Sequence, residues 1–261
     1  MIIDTHAHTY LKDFNDDLDQ VVERAREIGV EKVLLPNIDT ATIDDMFSLQ
    51  DSYPDFFIPM LGLHPCSVKK DYKAQLDVIY EKISGNEICA IGEIGLDYYW
   101  DTSFSKQQKD AYNTQIKWAK ELELPIVIHS RDSIDDCIKA VSDSKDERLR
   151  GVFHCFGGTV VHAEEIIKNE FLMGIGGVVT FKNGGLDKVL PDIPLESLVV
   201  ETDSPYLSPV PYRGKRNESS YLVYVVKKIA EIYGIEESKV EEITTRNAID
   251  LFSLSNMNVK R

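Results

Sequence analysis

The stretch Ile2-Ile3-Asp4-Thr5-His6-Ala7-His8 sets a short β-branched run directly against two histidines. The run has the character of a strand buried on both faces. In a doubly wound open sheet, the turn after the first strand is usually rich in glycine. Here that turn carries imidazoles instead, which favours a closed barrel with its chemistry at the carboxyl ends of the strands. Seven further runs of the same kind follow, at residues 33–35, 58–63, 88–91, 126–128, 152–153, 171–175 and 198–200. Amphipathic segments separate them. Leu18, Val21, Val22, Ala25 and Ile28 recur at helical spacing, and Gly29 ends that helix. Ser105 and Gln108 have the spacing of a capping box, opening a helix that carries Ala111, Ile116, Ala119 and Leu122 and stops before Pro125. Leu222, Val225, Val226, Ile229 and Ile232 mark another, closed by Gly234. The alternation predicts a TIM-type (β/α)8 barrel, a single domain over residues 1–261 with a polar, frayed tail from about 254.

The chain has 261 residues, 43% hydrophobic and 28% charged, enough apolar material for a core that needs no disulfide. A net charge of −15 counts against a broad basic face for nucleic acid. It leaves room for a polyanionic substrate, because bound cations invert the local field. Cys66, Cys89, Cys137 and Cys155 form no C-x-x-C pair and read as reduced thiols of a cytoplasmic protein. No secretory signal is visible, and no apolar run nears the roughly 20 residues that span a membrane.

His6, His8, His64, His129 and His154 fall at or just past the ends of predicted strands; His162 lies in a predicted helix. Asp4, Glu93, Glu201 and Asp203 share the strand-end level. In a parallel barrel such positions converge on one mouth. His6 and His8, two apart on extended chain, point to the same side and can reach one ion. A lone H-x-H is weak evidence, but recurrence at one level makes metal binding the better reading. Glu93, with two carboxylate oxygens, can bridge two cations. Asp203 and Glu201 share a strand face, and two inward carboxylates are costly unless a cation neutralises them. Asp203 is therefore read as a ligand that also takes the proton of an attacking water. Glu201 is read either as a partner orienting a histidine or as half of a separate ion pair.

The same residues sit in motifs that run in order along the chain. They are Asp4-Thr5-His6-Ala7-His8, Gly62-Leu63-His64-Pro65, Gly92-Glu93-Ile94-Gly95-Leu96-Asp97 and Pro125-Ile126-Val127-Ile128-His129-Ser130-Arg131. His154-Cys155-Phe156-Gly157-Gly158, Glu201-Thr202-Asp203-Ser204-Pro205-Tyr206 and Pro211-Tyr212-Arg213-Gly214-Lys215-Arg216-Asn217 continue the series, which ends at Asn247-Ala248. The chain thereby resembles the TatD family of metal-dependent deoxyribonucleases, within the amidohydrolase-like barrels. The resemblance implies two divalent cations, with His6, His8 and Asp203 on one, His129 and His154 on the other, and Glu93 bridging. It departs from the family pattern at Gly157, where serine is common, and at Asn217-Glu218-Ser219, where a proline often follows the glutamate.

The expected activity is hydrolysis of phosphodiester bonds in DNA, of 3′–5′ exonuclease type, on single strands or 3′ ends. Zinc is the expected metal, with manganese or magnesium as alternatives. No obligate protein partner is implied. His64 is read as a phosphate contact or a structural histidine, Arg131 as a substrate contact, and Arg213 with Lys215 and Arg216 as a phosphate clamp or a solvated loop. Tyr98, Tyr99 and Trp100 either stack on unpaired bases or pack over the barrel top. Two rivals remain: an amide or ester hydrolase on the same barrel, such as an aminoacyl-tRNA deacylase, and a metal-binding scaffold without turnover.

Overall fold

The computed structural model describes residues 1–256. Eight parallel strands alternate with helices: β1 (Ile2–Asp4), α1 (Leu18–Glu27), β2 (Val30–Pro36), α2 (Ile43–Ser52), β3 (Phe57–Met60), α3 (Tyr72–Gly85), β4 (Ile91–Asp97) and α4 (Ser105–Leu122). β5 (Ile126–Arg131), α5 (Ile134–Ser144), β6 (Gly151–Phe153), α6 (Val160–Lys168), β7 (Leu172–Ile175), α7 (Leu186–Val189), β8 (Leu198–Val200) and α8 (Leu222–Tyr233) complete the cycle. A further helix, α9 (Glu237–Phe252), packs against β1 and β8.

The strands pair as β1-β2-β3 and as β4-β5-β6-β7-β8, all parallel. Two seams join these sheets into a closed cylinder. Gly92 N–H donates to Leu61 O at 3.0 Å between β3 and β4, and Thr5 N–H to Val200 O at 3.1 Å between β8 and β1. The expected TIM-type barrel is the observed fold.

Alternation along each strand explains the continuous apolar runs. Ile126 and Ile128 pack outward under the helices, while Val127 joins the smaller interior cluster with Ile3, Leu34, Val152 and Val199. The period of two then carries Val127 to His129, Val152 to His154, and Val199 to Glu201 and Asp203. The lower half of the cylinder is thus apolar, closed beneath by Ala248, Leu251 and Phe252 of α9. The upper half is polar.

Three expectations are corrected. The fourth strand begins at Ile91 instead of ending there, and its pairing with β5 shifts register between Ile91 and Ile94, so Glu93 reaches the axis from within a strand. α4 does begin at Ser105, but the Ser105–Gln108 capping box does not form. Gln108 Oε1 accepts the N–H of Asp97 at 3.0 Å, and the Ser105 hydroxyl donates to Thr102 O. The amide thus satisfies a buried donor beside the mouth rather than an exposed helix end. Residues 254–256 form a 3-10 turn with Leu254 buried against the interior cluster, so fraying does not begin at 254; residues 257–261 lie outside the described residues.

Candidate metal centre

His6 and His8 follow β1 on extended chain that is stitched to the segment after β8. Asp203 N–H donates to His6 O at 2.9 Å and His8 N–H to Ser204 O at 2.7 Å. This stitching brings residues about two hundred positions apart into one site. His6, His8, Glu93 and His154 are buried, whereas His64, His129 and Asp203 are half-buried beneath a cleft of about 1010 Å³.

Glu93 stands at the middle. Its Oε2 is 3.2 Å from His6 Nε2 and 3.6 Å from His8 Nε2; these nitrogens lie 3.8 and 3.6 Å from Asp203 Oδ1. Its Oε1 is 2.9 Å from His129 Nδ1, 3.4 Å from His64 Nε2 and 3.8 Å from His154 Nε2. Most of these separations are too long for hydrogen bonds. They match another pattern: ligand atoms about 2.1 Å from a shared tetrahedral ion stand about 3.4 Å apart. Two sets on opposite oxygens of Glu93 could each hold a cation.

Tyr10 donates its hydroxyl to Pro36 O at 2.6 Å, so at 2.9 Å it can only accept from His8 Nδ1. A neutral His8 with its proton on Nδ1 turns the lone pair of Nε2 toward two carboxylate oxygens. That arrangement is repulsive without a cation between them and favourable with one. His129 is arranged likewise, with Nε2 2.9 Å from Asp97 Oδ2 and Nδ1 toward Glu93. His154 Nδ1 lies 2.9 Å from Glu201 Oε1, which also accepts the Cys155 N–H at 2.7 Å. Carboxylates behind imidazoles orient metal-binding histidines.

Burial alone would push the Glu93 carboxyl up; the imidazoles of His64, His6 and His154 and the contact with His129 outweigh it and hold Glu93 well below its ordinary value. Burial likewise opposes the ionised form of Asp203, but His8, His154 and His6 bring it below the usual range. Burial lowers the His154 imidazole, yet Glu201 and Glu93 raise it to about 10. For His6, burial and the neighbouring His154 win, and its value falls. On His154 a proton stands in for the positive charge that a cation would bring.

All six residues expected as ligands come together. The grouping has its own detail: His154 stacks on His6 with ring centroids 3.5 Å apart and approaches Asp203, while His129 lies closer to His64. Glu201 faces His154 rather than a separate ion pair. Arg131 and Arg213 both line the cleft, each over an aromatic ring, Tyr99 at 3.9 Å and Phe181 at 3.7 Å. Arg216 does not join a clamp, because its guanidinium grips Asp17 at 2.6 and 2.8 Å. Sequence reasoning assigned no role to Asp97 or Tyr10. A signal existed for both: Asp97 is four residues from Glu93 on one strand, and Tyr10 two residues from His8. His162 caps α6 with Thr159, apart from the centre.

Residues 3–253 match the family model described as TatD related DNase. The chain is 40% identical to a Bacillus subtilis protein named as the uncharacterized metal-dependent hydrolase YabD, over 98% of this chain and 100% of that one. It is 32% identical to the 3′–5′ ssDNA/RNA exonuclease TatD of Pectobacterium carotovorum, over 93% of this chain and 95% of that one. Among solved structures, YjjV, a TatD homologue from Escherichia coli, superposes with a TM-score of 0.91 at 27% identity, covering 97% of this chain and 98% of that one.

Proposed function

This chain belongs to the TatD related DNase family, and from that membership we propose that it removes nucleotides from the 3′ ends of single-stranded DNA. It is a metal-dependent hydrolase acting on ester bonds. The observation that carries the reading is the set of imidazole and carboxylate atoms spaced 3.2–3.8 Å apart around Glu93 Oε2 and Asp203 Oδ1. His6, His8, Asp203 and Glu93 would hold one cation, and Glu93, His129 and His154, with His64 beside them, would hold a second. Imidazoles favour zinc, and the carboxylates also accept manganese or magnesium.

When bound, divalent cations supply Lewis acidity that lowers the pKa of water and stabilises charge on phosphoryl oxygens. The chain's residues do the rest. Asp203, ionised at neutral pH, accepts the proton of the attacking water on its carboxylate. Glu201 and Asp97 hold His154 and His129 in orientation. Arg213 and Arg131, unpaired with carboxylates among the described residues, face the cleft where a phosphate enters. The barrel acts as one domain, in the cytoplasm, its four thiols free; among the described residues no helix is long and apolar enough to cross a membrane.

The test uses 3′- and 5′-labelled single strands, with and without chelator. Nucleotides are expected to leave from the 3′ end only with metal, and Asp203→Asn should lower kcat by about 10²–10⁴-fold. Release of an acyl group from aminoacyl-tRNA with the strands intact would move the chain to the deacylase reading. Undiminished turnover in the variant would remove the role given to Asp203.

A further inference from the structure

Exposed aromatic rings rim the cleft on two sides. After β4, Tyr98 is half-buried, and its hydroxyl donates to Asp136 at 2.6 Å, so this ring packs over the barrel top. Its neighbours do not. Tyr99 and Trp100 are 54% and 69% exposed and meet edge to face, centroids 4.9 Å apart. Asp97 Oδ1 fixes their backbone by accepting both N–H groups, at 3.0 and 2.9 Å. The Arg131 guanidinium lies 3.9 Å from the Tyr99 centroid and 5.5 Å from that of Trp100. Tyr206, 52% exposed, follows β8, its N–H held by Asp203 O at 2.8 Å. Strands four and eight stand half a circumference apart in an eight-stranded cylinder, so these rings lie on opposite walls of one mouth, and Trp100 and Tyr206 both line it.

Exposed rings on hydrogen-bonded backbone beside a polar cleft call for an occupant. A net charge of −15 denies this chain a broad electrostatic grip on a polyanion. Stacking supplies affinity without charge, and every nucleobase has a face to offer. A base already stacked in a duplex cannot use such a platform. We infer that Trp100, braced edge to face by Tyr99 and by Arg131, stacks on one unpaired nucleobase and Tyr206 on another, so that the two bases flank the phosphodiester presented to the centre. The inference rests on the nuclease reading above and adds the device that selects unpaired strands.

The test uses short single strands in which one nucleotide on either side of the terminal phosphodiester is replaced by an abasic residue. KM is read by turnover with divalent cation supplied, and Kd by fluorescence anisotropy. In the wild-type protein, loss of either base raises KM about tenfold. In Trp100→Ala the ratio of abasic to intact KM falls to near one at one position, and in Tyr206→Ala at the other; Trp100→Phe keeps most of the ratio. Trp100 is exposed, so its replacement leaves the core untouched. An unchanged ratio in Trp100→Ala, or strands turned over with no abasic penalty at all, overturns the platform and leaves the nuclease reading standing. Failure to cleave any strand removes the nuclease reading and the platform with it.

Discussion

Asp97 Oδ2 lies 2.9 Å from His129 Nε2, while Oδ1 accepts the N–H groups of Tyr99 and Trp100. Burial opposes its ionisation, yet these contacts hold the carboxyl well below its ordinary value. A carboxylate there keeps the His129 proton on Nε2 and leaves Nδ1 free toward Glu93. Asp97→Asn preserves shape but weakens that preference. We expect zinc affinity to fall about 10–100-fold, read by competition with a chromophoric chelator. Equal affinity in both proteins would show that His129 needs no such partner.

The loop after β8 is anchored by α1. Arg216 grips Asp17, the residue that precedes α1, and Arg24 within α1 donates twice to Glu218 at 2.7 Å. The loop that carries Arg213 is thereby tied to a helix outside the barrel. The hydrogen bonds from Arg216, against a smaller opposing effect of burial, lower the Asp17 carboxyl from 3.8 to about 2. A depressed carboxyl stabilises the fold above its unfolded value and loses that contribution as pH falls through the folded one. Asp17→Asn should therefore lower Tm at pH 7 by about 2–4 °C, the effect of about 1 kcal/mol in a chain of this size. The gap to wild type should narrow as pH drops from about 4 toward about 2. A gap constant over that interval would mean the Asp17 charge contributes nothing.

Across the molecule, the cylinder divides into an apolar lower half and a mouth where Glu93, Asp97 and Glu201 are all buried. Such a concentration of carboxylates is costly without positive charge. Cation binding should thus be linked to folding. At about a hundred times Kd, zinc or manganese should add about 2.7 kcal/mol, or about 5–10 °C in Tm, reversed by chelator. A melting curve indifferent to both cations and to chelator would leave the centre without its metals.

The barrel was legible because its rule is local. A strand between helices on one side and a filled cylinder on the other must be apolar throughout, and a period of two carries Val127 to His129 and Val199 to Asp203 without reference to distant residues. The gathering of the candidate ligands was legible for the same reason, since imidazoles and carboxylates at strand ends share one level. Partner choice was not. His6 and Glu93 stand 87 residues apart in the chain. Whether Arg216 faces the cleft or Asp17, whether His154 turns to His6 or His129, and which two of three successive aromatics are left outside all depend on how strands close around the axis. The register shift in β4 is of this kind as well. These are matters of long-range packing, in which neighbours in space are set by the closed cylinder and have no signature in the spacing of residues along it.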